Sequence, residues 1–501
     1  MRERPKVPGH NPCHPCFSFT SPILRVLLSA DMRPACVPSY SEWRLESGFV
    51  PLLRDSGDCP PEKLLQAVWQ HQRVLRDRLA TLDGRPLRVL HPGFQNHSGG
   101  PDFRDAVIQF GDSEPVVGDV EVDLRSSGWR AHGHHSNPAF SRVVLHVVWE
   151  PGQPGHLATL CLSGSLDAPI GELSLWLATE TNPAFPEEYA GRCSAHLKNW
   201  EAGKLEGLLH LAARSRLDAK ASQFRARARQ SGWEQVLWEA AFRALGYRHN
   251  SWPMQRLGEL RERWCEPEGE PVHFQARLFG LGGLLPGDLR PGSADNGRYL
   301  LRLWDQWWRE RDRFGDVMLP THLWQFRGQR PANHPHRRLA LASHWAARGD
   351  LAKRVEAWCA RELSDSDLAT SLWEELRVPS DPFWDWHSTL RSSRLSRPQP
   401  LLGQTRVTEL AVNVILPWLW ARALEGRNYP LQARIEKRYY AWPSGEDNSV
   451  LRQARLRLLG NLPARGLRGA AAQQGLLQIV RDFCDHSTSL CTDCKFPSFI
   501  G

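Results

Sequence analysis

Three carboxylates, Asp102, Glu121 and Asp123, fall on two strand-like stretches joined by a turn. Residues 105–110 and 116–124 have the apolar alternation of strands, and the Gly-Asp-Ser-Glu run at 111–114 has turn composition. With the turn centred near Ser113, antiparallel partners sum to about 226, which sets Asp123 opposite Phe103 and Glu121 opposite Asp105. Side chains alternate along a strand, so Glu121 and Asp123 share one face while Val120 and Val122 share the other. Asp102 opens the facing strand, within a diagonal step of both. Three oxygen donors beside an open position suit a hard dication, magnesium or manganese. A strand edge with acidic residues facing water accounts for the same pattern without an ion.

Imidazoles crowd the next stretch: His132, His134, His135 and His146. An extended His132-Gly133-His134 puts two imidazoles on one face, a spacing that binds zinc. The same two groups can act as a general acid or orient water beside a metal. A second candidate site lies at the other end of the chain, where Cys484, Cys491 and Cys494 have the spacing of a zinc or iron–sulfur site lacking one ligand. Cys193, His486 and the pair Cys13 and Cys16 are the candidate fourth ligands, and Cys193 would staple the tail back to the sheet-containing part. Two basic runs are candidate phosphate contacts: Arg214, Arg216, Lys220, Arg225, Arg227 and Arg229, then Arg327, Arg330, Arg337 and Arg338. A solvated helix face explains the first run equally well.

The elements that must position these groups follow from periodicity. A helix begins near Glu62, with Leu64, Leu65, Val68 and Trp69 on one face, and strands follow near 87–90, 105–110, 116–124, 142–149 and 157–162. Beyond residue 190 the pattern is helical. Ser231 to Glu234 reads as a capping box, Gly246 as a stop, and residues 300–308 as a tryptophan-rich helical face. The division is then residues 1–55 as a poorly ordered extension, with Met32 as an alternative start, 56–190 as an α/β unit, 191–482 as a larger all-α domain, and 483–501 as a cysteine-containing tail. The length of 501 residues fits several cores, and 41% hydrophobic with 24% charged residues excludes a disordered chain. Net charge is +8, carried mostly by arginine since lysine occurs at eight positions, so basicity supports nucleic-acid binding only weakly. No apolar run reaches the roughly 18 residues of a membrane span, so no membrane partner is expected. Eleven scattered cysteines do not form a secreted disulfide framework, which makes the cytoplasm the default location.

The Pro101-Asp102 and Glu121-Val122-Asp123 pair resembles the core of the PD-(D/E)XK nucleases, in which Pro-Asp opens one strand and Glu-x-Lys follows on the next. Asp123 stands where that family has lysine, which orients water and offsets phosphate charge. The resemblance implies metal held by Asp102, Glu121 and Asp123, with Glu121, His132 and His134 as catalytic groups and a helix glutamate, Glu62, leaning towards the ion. A second resemblance covers roughly 55–495. It rests on Pro92-Gly93, Asn96, residues 100–103, Gly118 with Glu121, Ser127-Gly128-Trp129 with His132 and His134, and residues 144–149. It continues through Arg330-Pro331, Asn333, Pro335, Arg338, Asn413, Pro417, Gln474, Leu476 and the three tail cysteines. These motifs resemble an uncharacterised bacterial family, domain of unknown function 2851. The fold expected is an α/β nuclease-like unit, a mixed sheet with flanking helices, followed by a larger all-α domain. The function expected is magnesium- or manganese-dependent hydrolysis of nucleic acid, DNA by the resemblance, with zinc or an iron–sulfur cluster at Cys193, Cys484, Cys491 and Cys494. The alternatives are a non-catalytic nucleic-acid-binding or assembly protein on a degenerate nuclease-like fold, and hydrolysis of another phosphate ester.

Overall fold

The computed structural model describes residues 40–46, 60–96, 100–152, 157–170, 173, 191, 193–197, 199–247, 249–266, 268–287, 294–326, 330–460, 467–484 and 494–500. Its sheet is mixed. Strands β1 (Leu87–His91), β3 (Phe103–Phe110) and β4 (Val116–Arg125) form an antiparallel run, with the short β2 (Phe94–Gln95) paired to β3. β5 (Val143–Glu150) and β6 (Thr159–Cys161) then continue parallel to β4. A parallel step needs a crossover, and residues between β4 and β5 supply it as a four-residue helix, Gly128–Ala131, and two 3-10 turns. That crossover carries His132 and His134. The helix Glu62–Gln70 follows Pro61, whose extended backbone starts it, and buries Leu64, Leu65, Val68 and Trp69 against the sheet.

The hairpin keeps the expected faces on β4 but not the expected register. Ile108 pairs with Val116 and Ala106 with Gly118, so partners sum to 224 and the turn is centred on Asp112. A bulge between Phe103 and Ala106 then slips the pairing once more, leaving Phe103 opposite Val120. Asp105 takes up the bulge with a left-handed φ of 55°, and its amide donates to Asp119 Oδ1. The two-residue error preserves face parity from Ala106 to Ile108, while the bulge adds a third and turns Phe103, expected opposite Asp123, into the core beside Val120 and Val122. The bulge brings Asp102, not Asp105, alongside Glu121.

Sheet and helices interlock. Leu90 and Val107 from the sheet join the helical core, and Ala226 of the 30-residue helix Ala202–Ser231 joins the sheet's core. Residues 40–501 accordingly form one compact unit. The helix runs through Ser231, so the capping box does not form; Gly232, with φ of 80°, separates it from Trp233–Leu245, which stops at Gly246 as expected. Within the segment expected as an extension, Tyr40–Glu46 is a helix: Tyr40 donates to Asp482, and Trp43 stacks on Phe499. Its outward neighbours, residues 1–39, lie outside the described residues. Among the described residues one helix, Gln404–Glu425 with a π turn at Ala411–Ile415, is long and apolar enough to cross a membrane, yet 78% of its apolar window is buried inside the protein.

Candidate functional site

Asp102 and Glu121 clasp each other. The Asp102 amide donates to Glu121 Oε2 at 3.0 Å, and the Val122 amide donates to Asp102 Oδ2 at 3.1 Å. Asp102 Oδ1 accepts from Gln66 Nε2 at 2.9 Å, and the same amide reaches Glu62 Oε1 at 3.3 Å. One helix face thus brings Glu62 and Gln66 to the strand carboxylates, four residues being about one turn. Asp123 points the same way as Glu121, and both are nearly enclosed, at 2% and 7% exposure. Its Oδ2 meets His146 Nε2 at 2.8 Å, which parallel pairing of β5 with β4 makes possible by setting His146 beside Glu121.

The two crossover imidazoles come to the same point by a turn, not by extension. His132 ends the short helix, Gly133 adopts a left-handed φ of 73°, and His134 opens a 3-10 turn. His132 Nδ1 lies 3.2 Å from Asp123 Oδ1, and His134 Nε2 lies 3.1 Å from Glu121 Oε1. The latter contact is close but misaligned: His134 Nε2 is buried and makes no hydrogen bond. Phe140 stacks on the His134 ring at 4.0 Å, and Trp129 stands against both His134 and His146. Asp123, His132 and His134 each offer a ligand atom within 4.8 Å of the others, and theirs is the group of that kind found among the described residues. Gly128 sits over the Asp123 carboxylate so tightly that a Cβ there would lie 2.8 Å from Asp123 Cγ.

Crowded acids resist ionisation. Burial, and then the neighbouring Asp102 carboxylate, raise Glu121 to about 8. Burial raises Asp102 to about 6 against the opposing Val122 amide, with Glu62 adding to the rise. Glu62 is itself raised, by burial and then by Asp123. Desolvation lowers His134, which favours the neutral imidazole that ligates metals. A cation placed among these groups would reverse the carboxylate shifts.

The sequence motifs include Gly128 and His146 but disclose neither Gln66 nor the contacts of Gly128 and His146 with Asp123, which exist only in the folded arrangement. Most described members of the basic runs have partners within the chain, and Arg330, with its side chain 75% exposed, lies 3.4 Å from Glu446. Arg214 pairs with Asp218 and Glu436, Arg225 with Glu425 and Arg227 with Glu239, while Arg216 donates to Gln474 and Lys220 to Asn413. Arg337 is buried against the carbonyls of Trp384, His387, Gln399 and Pro400, and Arg338 against those of Leu401 and Ala332. Both are main-chain staples and unavailable to phosphate. Arg327 lies outside the described residues. Of the cysteine set, Cys193 and Cys484 are buried, and Cys494 Sγ lies 3.7 Å from the Phe483 carbonyl oxygen. The Cys193–Leu197 helix packs against the terminal helix Phe496–Ile500. Cys491, Cys13, Cys16 and His486 lie outside the described residues.

The family model described as a protein of unknown function (DUF2851) matches residues 62–448. No curated protein and no solved structure matches the chain. The match spans the helix of Glu62, the whole sheet, both crossover histidines and most of the helical body, and the chain belongs to the DUF2851 family.

Proposed function

We propose that this protein is a divalent-metal-dependent phosphodiesterase acting on nucleic acid, of the DNA class that the nuclease-like motif implies, with its centre at the open end of the β3–β4 hairpin. The observation that carries the reading is the gathering of Asp102, Glu121 and Asp123 with His132 and His134, including a buried imidazole nitrogen that has no hydrogen-bond partner. Those residues fit a dication, manganese better than magnesium, which when bound lowers the pKa of water and offsets phosphoryl charge. Asp102 holds the hairpin end in register by accepting from Val122 and Gln66. Glu121 Oε1 faces the site and takes the proton of the attacking water. His146 holds Asp123 in one orientation. His132 and His134 stand where a nuclease lysine would and offer imidazole nitrogens to the ion.

For the tail we propose a structural zinc or iron–sulfur site on Cys193, Cys484, Cys491 and Cys494, supported by the packing of the terminal helix on the Cys193 helix.

The test of the main reading is incubation of purified protein with single- and double-stranded DNA and RNA under magnesium or manganese. Cleavage is expected, and Glu121→Gln should reduce it at least about 100-fold while retaining nucleic-acid binding. Tight binding without cleavage under either metal would favour the binding or assembly reading. Neither binding nor cleavage would overturn both.

A further inference from the structure

The carboxylates alone do not describe the most compact set of donor atoms. Two donors each about 2.1 Å from one ion, at octahedral or tetrahedral angles, stand roughly 3.0–3.4 Å apart. Asp123 Oδ1 and His132 Nδ1 are 3.2 Å apart, and His134 Nε2 joins them within 4.8 Å. Asp102 is differently placed, since both of its oxygens already accept hydrogen bonds, from Gln66 and from the Val122 amide.

We propose that Asp123 Oδ1, His132 Nδ1 and His134 Nε2 form a three-ligand centre for a first-row transition dication, and that magnesium competes poorly for it. The ligand assignment stands on geometry; only the ion's use in hydrolysis rests on the reading above. Imidazole is a borderline donor that suits transition ions, whereas magnesium takes oxygen ligands and keeps several waters. Each ligand is held by a second group. His146 ties Asp123 Oδ2, leaving Oδ1 towards the centre; Phe140 and Trp129 hold the His134 ring; Gly133 supplies the turn that brings both imidazoles round. Three protein ligands leave positions for water and substrate, and His132, with its side chain 55% exposed, marks the open side. On this assignment the two histidines compensate for the missing lysine by ligating the ion, and Glu121 stays unligated beside it as the proton acceptor.

The probe is manganese, because the tail thiols favour softer ions. Binding is followed by manganese electron paramagnetic resonance on the full chain without nucleic acid, with magnesium as competitor. One site is expected, with at least about 100-fold excess of magnesium needed to displace half the manganese. His132→Ala and His134→Gln should each weaken manganese at least about 10-fold, while Asp102→Asn weakens it less. His132 is exposed, so its variant should fold, and circular dichroism checks both. Equal affinity for magnesium, or histidine variants that bind manganese as wild type does, would overturn the assignment. Correct metal binding without any cleavage would leave it standing and remove the hydrolase reading. Magnesium-supported cleavage that survives loss of both histidines would do the reverse.

Discussion

Gly128→Ala tests whether Asp123 is held in place by shape. A Cβ built on Gly128 falls 2.8 Å from Asp123 Cγ and Oδ1 and 3.0 Å from Oδ2, about 0.6 Å inside ordinary contact. Gly128 does not have a positive φ, and it opens a helix, so alanine brings no backbone strain and should favour the helix by up to about 1 kcal/mol. The collision alone opposes it. Either the carboxylate retreats, against the His146 hydrogen bond, or the crossover shifts and carries His132 and His134 with it. A displacement near 0.5 Å exceeds the tolerance of a preorganised site. The expected result is a loss of about 10–100-fold in manganese affinity, with overpacking reducing stability by about 1–3 kcal/mol in urea unfolding. Gly111→Ala is the control: its φ is 55° and nothing lies within 4 Å of its Cβ, so it should lower stability and leave metal affinity unchanged. If Gly128→Ala binds manganese as wild type does and unfolds at the same or higher urea concentration, Asp123 is not held by this contact and the reasoning fails.

Glu121 is raised from its ordinary 4.5 to about 8, so the native state holds its proton longer than the unfolded chain does, and metal-free stability should fall as pH rises between those values. Glu121→Gln removes that dependence and should melt above wild type by a margin that grows from pH 6 to pH 9; a constant margin would refute the cause. Arg337→Ala should lower stability by about 3–5 kcal/mol, because it strands buried carbonyls of Trp384, His387, Gln399 and Pro400, and it should leave nucleic-acid affinity unchanged. A weakened affinity in correctly folded Arg337→Ala would return that residue to the phosphate-binding surface. Anaerobically purified protein should contain zinc or iron by elemental analysis, and Cys484→Ser with Cys494→Ser should remove it; metal-free wild type excludes the tail site.

The hairpin was legible because its alternation is chemical: Val120 and Val122 go inward, so Glu121 and Asp123 go to the other face whatever the register. Register itself was not legible. A left-handed Asp105 leaves no mark in composition, and the turn's centre moved by one residue without changing its turn-forming character. The imidazoles were found by type and misplaced by geometry, since Gly133 reads equally as a strand glycine or a left-handed turn. Gln66 carries no local signal, and the motifs that hold His146 and Gly128 do not disclose their contacts; these roles exist only once the helix, the parallel strand and the crossover meet. At Arg337 and Arg338 the second arginine run was ambiguous for the opposite reason. Arginine density signals phosphate on a free surface, but here the guanidinium groups of Arg337 and Arg338 satisfy main-chain carbonyls inside the helical body.

On the proposed reading, charge explains why aspartate and two histidines can replace a lysine. The hydrogen-bond and ion-pair partners of Asp102, Glu121 and Asp123 are main-chain amides, Gln66 and imidazoles, with no arginine or lysine among them. Among the described residues these three carboxylates have no arginine or lysine partner to serve a phosphate. Left to itself such a site reduces its own negative charge by keeping protons, which is the direction in which Asp102 and Glu121 are shifted. A dication supplies the missing positive charge and releases those protons together. The lysine of the nuclease pattern is thereby dispensable: a fixed ammonium is exchanged for a further ligand, Asp123, and for imidazoles that hold the ion more firmly. Catalysis and ion binding then become inseparable, because the group that attracts the phosphate and the group that activates water are the same ion.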